Sequence, residues 1–247
     1  MRLLVTILWV LLLLPTAHAA DRVAAARKAR AKQVAALFSE AGVAWPPEQL
    51  YLRAFKHERE LEVWAGSKTG PLVKVKTFPF CAASGDLGPK RREGDLQVPE
   101  GFYTIDLFNP KSSYHLSMRV SYPNAADRFQ QVAGVPLGGD IYVHGDCVSI
   151  GCIAIEDGPI EELYLITLDT RAKTKRDVPI HIFPRRLDDA GMAALTQSQP
   201  AASSLVAFWK SLQPAYSQFE ALRRIPSTSV DPKTGQYVVK PAATARR

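Results

Sequence analysis

The run Tyr142-Val143-His144-Gly145-Asp146-Cys147-Val148-Ser149-Ile150-Gly151-Cys152-Ile153 puts a histidine at the end of a short strand and a cysteine eight residues further on, with a glycine beside each. Glycine turns where a side chain would clash, so the loop between them can fold back and bring His144 and Cys152 together. An imidazole beside a thiol is a nucleophile–base pair, with the sulfur drawn toward thiolate by His144. A cysteine of ordinary pKa is only ~3% thiolate at pH 7, so full ionisation raises the reactive fraction by about thirtyfold at most. Nucleophilicity falls as pKa falls, and the remaining acceleration has to come from positioning and from amides that hold an oxyanion. Without a Cβ, Gly151 can aim its own N–H and that of Cys152 at one point, a feature worth on the order of 100- to 1000-fold in rate. Asp146 reads as a turn residue rather than a third member of a triad, because a backbone carbonyl suffices to hold the imidazole.

Taken alone, the same residues admit other readings. Cys152 can be a small buried hydrophobe and His144 a hydrogen-bonded strand end. Cys81, Cys147, Cys152 and His144 make up a Cys3His zinc set, with four residues between the last two cysteines. Two of the three cysteines can form a disulfide; if Cys81 and Cys147 pair in an oxidising compartment, Cys152 is left as the free thiol.

Outward from this loop the pattern is of short strands. Leu50–Lys56, Leu61–Ala65, Leu72–Phe78, Phe102–Leu107, Tyr114–Tyr122, Asp140–His144 and Val178–Phe183 are β-rich, and turn clusters such as Gly66-Ser67-Lys68-Thr69-Gly70 and Ser84-Gly85-Asp86-Leu87-Gly88-Pro89 separate them. Strands in series predict a β-sandwich or barrel core over residues 48–185, a mainly β fold with peripheral helices. Residues 20–47 hold an amphipathic helix ending before Gly42. Gly158-Pro159 open another, with Asp157 or Gly158 as N-cap. Over residues 186–225, Leu205, Phe208, Trp209, Leu212, Tyr216 and Phe219 follow a helical period that Pro214 should kink or divide. Residues 226–247 read as a basic flexible tail, apart from a short strand at Tyr237–Val239.

The composition, 47% apolar and 22% charged over 247 residues, excludes disorder throughout and a polytopic membrane protein. A formal charge of +7 suits an anionic partner. Residues 1–19 choose among such partners: Arg2, the apolar run Leu3–Leu14 interrupted at Thr6, and Ala17-His18-Ala19 read as a secretory signal peptide. The run is shorter than the ~20 residues of a spanning helix. Export removes nucleic acid from consideration and leaves a wall polymer, peripheral contact with a membrane surface, or plain solubility.

Further motifs carry a resemblance. Ser84-Gly85-x-x-Gly88-Pro89-Lys90-x-x-Glu93-Gly94-Asp95-x-x-x-Pro99-Glu100-Gly101-x-Tyr103, with His144-Gly145 and Ser149-x-Gly151-Cys152, resembles the L,D-transpeptidase catalytic domain family, also called YkuD-like, from about Leu50 to Phe183. Tyr114-His115-Leu116-Ser117, Tyr122-Pro123-Asn124-Ala125 and the compact loop resemble its YafK-like branch. The resemblance implies a β-rich fold working on peptidoglycan stem peptides in the periplasm and cell envelope, with no metal or organic cofactor. Cys152 would attack the carbonyl of the third stem residue, usually diaminopimelate, and form a thioester. His144 would serve as general base and then acid, Gly151 and Cys152 would supply oxyanion amides, and Ser149 would shape the loop and orient the histidine. The thioester would pass to an amine, or to water, which in the YafK-like branch releases wall-linked lipoprotein as an amidase would. Two positions depart from the family pattern: Ile150 stands where many members carry histidine, and Ala154 where many carry arginine. A lost guanidinium removes a bidentate partner for a carboxylate. The reading from another class is a catalytically inactive wall-binding module. Lys90-Arg91-Arg92 reads as a solvated turn, and His57, His115 and His181 receive no role.

Overall fold

Strand β1, Gln49–Phe55, sends Leu50, Leu52 and Ala54 into one apolar core and Tyr51, Arg53 and Phe55 toward the opposite face, all of them buried. Its parallel neighbour β8, Val178–Phe183, does the same: Val178, Ile180 and Ile182 join the first core, Phe183 the second. Strands buried on both faces belong in the middle of a sheet covered from both sides. The computed structural model, which describes residues 17–200 and 203–241, has that architecture. The apolar run Leu3–Leu14 lies outside the described residues, and no described helix is long and apolar enough to cross a membrane.

The remaining strands are β2 (Glu60–Gly66), β3 (Val73–Pro79), β4 (Gly101–Asn109), β5 (Ser117–Val120), β6 (Tyr142–His144) and β7 (Ile153–Ala154). They form one eight-stranded sheet in the order β3-β2-β1-β8-β4-β5-β6-β7, parallel at β1–β8 and β6–β7 and antiparallel elsewhere. Just past β3, on one edge, the Cys81 N–H donates to the Ala154 carbonyl (3.0 Å) and Ala82 bridges Ala154 in β7, on the other edge. The sheet therefore curls until its edges touch, and the β-rich core expected from the sequence is a nearly closed one.

Helices α1 (Ala17–Glu40) and α3 (Asp157–Thr174) cover one face, where Ala26, Val34 and Phe38 meet the same core as Ile160, Leu163 and Ile166. Arg27 grips Asp169 with two 2.7 Å hydrogen bonds, and Arg30 donates to Glu161 at 2.8 Å. The N-cap of α3 is Glu156, not Asp157 or Gly158, because the Asp157 carboxylate is committed to the Asp146 N–H at 2.8 Å. A short helix α2 (Ala125–Phe129) starts at an Asn124–Asp127 capping box. The other face is covered by α4 (Asp189–Gln197) and α5 (Ser204–Leu222), whose Phe208, Trp209, Leu212 and Tyr216 pack with Phe55 and Phe183. Pro214 neither divides nor ends α5. The carbonyl deprived of a donor there is that of Lys210, an exposed residue whose carbonyl water can serve.

Two stretches differ from the sequence reading. Segment 226–241 contains the hairpin β9 (Thr228–Val230) and β10 (Tyr237–Val239), held by one buried aromatic: the Tyr237 hydroxyl accepts from the Phe102 N–H (3.3 Å) and Asn124 Nδ2 (2.7 Å). Lys90 is buried rather than solvated, its ammonium donating to Asp95 at 2.7 Å. Asp95 also accepts the N–H groups of Arg91, Arg92 and Gln97. Burial pushes the Asp95 carboxyl up, but Lys90 and these amides outweigh it and hold the pKa below its ordinary value.

His181, on β8, is buried, and its Nδ1 shares a hydrogen bond with the Tyr51 hydroxyl at 2.6 Å. Burial, with a smaller contribution from Arg53, pushes its pKa down to about 3. A histidine whose folded pKa is depressed leaves stability intact above its unfolded value of ~6.5 and removes it as pH falls from there toward the folded value. Urea unfolding between pH 7 and pH 4 should show a loss from this residue of at most ~1.4 kcal/mol per pH unit, and His181→Gln should flatten the slope by that amount.

Candidate active site

The ladder pairs His144 with Ser117 of β5 on one side and Ala154 of β7 on the other, and the imidazole is buried at 3% exposure. Its Nδ1 lies 2.5 Å from the Gly145 carbonyl oxygen. A carbonyl only accepts, so the ring proton sits on Nδ1 and the lone pair is left on Nε2. The Tyr114 ring packs against the imidazole with centroids 4.9 Å apart. Burial lowers the His144 pKa, outweighing the Gly145 carbonyl and the Asp146 charge, which raise it. The ring is neutral at pH 7.

The loop leading to Cys152 is fixed at each turn. Asp146 takes a left-handed φ of +63° and donates its N–H to Asp157. Cys147 is joined to Cys81 by a disulfide with Cα atoms 5.2 Å apart, and Cys152 is the free cysteine. The disulfide removes two ligands from the Cys3His alternative. Ser149 Oγ donates to the Cys152 carbonyl (2.8 Å), receives the Gly151 N–H (3.2 Å) and lies 3.2 Å from Ser84 Oγ. Gly151 has a φ of +129°, and a Cβ there would stand 3.1 Å from the Gln97 carbonyl oxygen, so both conformation and space demand glycine.

The Cys152 sulfur accepts the Tyr142 N–H at 3.4 Å and faces the Asp140 carbonyl at 3.7 Å. Burial raises the thiol pKa; the Tyr142 N–H opposes this, and the Asp140 charge reinforces it. His144 and Cys152 line one cavity of about 430 Å3, but among the described residues no hydrogen bond joins them. The resting site thus holds a neutral thiol and a neutral imidazole, where the sequence suggested a sulfur already drawn toward thiolate. Desolvation, which disfavours both charged forms, accounts for the difference.

Of the residues singled out in the sequence, His144, Ser149 and Cys152 line this cavity, and Gly151 lies in the same loop. Ser149 bonds the loop backbone rather than the histidine. The Gly151 N–H points to Ser149, which leaves the Cys152 N–H, one residue ahead of the β7 ladder, as the loop amide outside the pairing. His115 lies in a loop, not a strand, at φ +63°, with Nε2 3.1 Å from Glu161. Arg22 of α1 donates to the carbonyls of Ser112 (2.6 Å) and His115 (2.7 Å), securing the loop that carries Tyr114. Ile150 stands 77% exposed at the mouth, whereas Ala154 is fully buried in β7, where an arginine would have no room. Sequence reasoning passed over Tyr142 and Asp140 as chemistry; the Gly138-Gly139 turn just before them was the available signal.

A curled sheet ending in a strand-terminal histidine, a glycine-shaped cysteine loop beside it and the Ser84–Tyr103 motif wrapped against that loop define a known class. The chain belongs to the L,D-transpeptidase catalytic domain family, whose pattern matches residues 50–182. Within that class it is 35% identical over 193 residues, covering 77% of this chain and 73% of the relative, to the Escherichia coli K12 protein named "Putative L,D-transpeptidase YafK". Solved structures aligned with it include the helical cell shape determining protein Pgp2 from Campylobacter jejuni (18% identity, TM-score 0.45, 74% of this chain and 73% of that one). Mycobacterium tuberculosis L,D-transpeptidase 1 aligns at 18% identity and TM-score 0.30, over 54% of this chain and 61% of that one.

Two measurements check this geometry. Alkylation of Cys152 by iodoacetamide should climb with pH through and beyond the ordinary thiol range; a rate already flat near pH ~6 would reveal a preformed ion pair instead. The Cys81–Cys147 link spans 66 residues, so replacing both cysteines with serine should cost about 2–4 kcal/mol in urea unfolding.

Proposed function

We propose that the protein is an exported cysteine enzyme of the cell wall that takes the acyl group of the third stem-peptide residue, diaminopimelate, onto Cys152. Transfer to a second amine gives L,D-transpeptidation; transfer to water gives hydrolysis of the peptidoglycan–lipoprotein link. The observation that carries this reading is that His144, its Nδ1 spent on the Gly145 carbonyl, lines one cavity with Cys152, the only free thiol among the described residues.

The chemistry follows from the neutral pair. The sulfur swings from the Asp140 carbonyl toward Nε2, gives up its proton and attacks the substrate carbonyl. The Cys152 N–H, and the Tyr142 N–H released by the departing sulfur, then donate to the oxyanion, a role supported by the present bond from the Tyr142 N–H to that sulfur. Burial makes the resulting imidazolium more acidic than a solvated one, which suits it to protonating the leaving amine as the thioester forms. His144 then removes a proton from the incoming amine or water. Residues 1–19 serve as the export signal. The family membership and the YafK relation support peptidoglycan as the substrate.

Incubation with purified muropeptides and with lipoprotein-bearing sacculi, followed by mass spectrometry, tests the reading. Expected are an acyl adduct on Cys152 and either cross-linked and D-amino-acid-exchanged peptides or released lipoprotein. His144→Ala should slow adduct formation by about 100-fold or more with the fold retained. Unchanged substrates beside well-folded protein would overturn the proposal.

A further inference from the structure

The whole chain carries a formal charge of +7, yet among the described residues no lysine or arginine lines the cavity shared by His144 and Cys152. Its walls are hydroxyl, amide, aromatic and apolar, and one carboxylate, Asp140, stands among them. The other titratable cation in the lining, His144, is held neutral by burial. Asp140 follows the Gly138-Gly139 turn in a left-handed conformation, φ +56°, and its carbonyl oxygen lies 3.7 Å from the Cys152 sulfur. The residue is exposed, and among the described residues its carboxylate enters no ion pair. The nearby guanidinium of Arg119 is already taken by Asp106, through bonds of 2.9 and 3.1 Å.

We propose that Asp140 is a specificity-determining residue: the acyl-donor subsite selects a third residue whose side chain ends in a cationic amine, and the Asp140 carboxylate is its counter-charge. This rests on the acyl-transfer reading above. An unpaired carboxylate beside a nucleophilic sulfur is unfavourable for catalysis unless something compensates it, since its field opposes the thiolate. The Asp140 charge does raise both the Cys152 thiol and the Tyr142 phenol, and the Lys90 ammonium offsets it only in part at the sulfur. A substrate ammonium seated on Asp140 cancels that field at the moment when the carbonyl arrives. Binding energy from a remote part of the substrate then appears in the acylation step. A diamino acid carries such an amine at the far end of its side chain; a neutral residue of the same length does not. No bond to Asp140 is made or broken.

The test is the rate of Cys152 acylation, followed by intact-protein mass spectrometry, with two synthetic tetrapeptide donors that differ only in the side-chain amine of the third residue, free in one and acetylated in the other. The wild-type protein should acylate about two- to fivefold faster with the free amine, the scale of a solvent-accessible ion pair. Asp140→Asn should react slowly and equally with both donors, whereas Asp140→Glu should keep the preference. A purely structural role would slow both donors alike and leave their ratio unchanged. Iodoacetamide labelling of Asp140→Asn, faster than wild type, would show its thiol intact and relieved of the opposing charge. If that variant fails to fold, the wild-type ratio of the two donors still decides. Equal wild-type rates would overturn the subsite while leaving acyl transfer standing; acylation by neither donor would overturn both.

Discussion

The backbone of Ala154 is where the sheet closes. It pairs with His144 on one side, while its carbonyl takes the Cys81 N–H and it bridges Ala82 on the other. Two residues before it is Cys152, the proposed nucleophile; directly across is His144, the proposed base; one residue before Ala82 is the cysteine that ties down the loop. Strand β7 is only two residues long, and two residues of ladder cannot hold such an arrangement alone. The covalent link from Cys81 to Cys147 supplies what the ladder lacks, and both chains of the closure are anchored on the loop they shape. The same closure explains why alanine stands at this position. A residue sealed at 0% exposure between two strands cannot send a guanidinium into the cavity.

A second constraint acts from the opposite side. Lys56 and Glu100 form a buried ion pair at 3.0 Å, with Lys56 also donating to the Gly88 and Val98 carbonyls and Glu100 accepting the Gly88 N–H and the Trp209 indole N–H. A buried pair of this kind adds little net stability over apolar packing, but removing one partner strands the other charge at a cost of about 3–5 kcal/mol. Its effect is to specify geometry. It pins residues 88–100 to the core, and from there the Gln97 carbonyl abuts Gly151 while Ser84 meets Ser149. The segment from Ser84 to Tyr103 thus contributes no lining residue to the cavity shared by His144 and Cys152; it forms the wall against which the cysteine loop is moulded.

Much of this was legible in the sequence because its carriers are local. β-rich runs set between turn clusters marked β1, β2, β3, β4 and β8, and His144 and Cys152 share one continuous loop. What escaped depended on partners distant in the chain. Tyr114–Tyr122 reads as one strand, but the left-handed turn at His115 confines β5 to Ser117–Val120, and that turn is held by Arg22, 93 residues away. β7 is too short to show a period. The hairpin of segment 226–241 has polar, basic composition and owes its order to the contacts of Tyr237 with Phe102 and Asn124. The protonation state of the site followed burial, which residue type does not reveal.

The clasp between Arg22 and the Ser112–His115 backbone also separates homology from architecture. The family match begins at residue 50, yet the roof over the imidazole is tied to a helix that ends at Glu40. Trimming the protein to its matched segment would keep His144, Ser149 and Cys152 in the chain while unroofing the cavity and stripping one face of the sheet. The family pattern is smaller than the folding unit, and a border drawn from it alone would cut through the packing that completes the cavity.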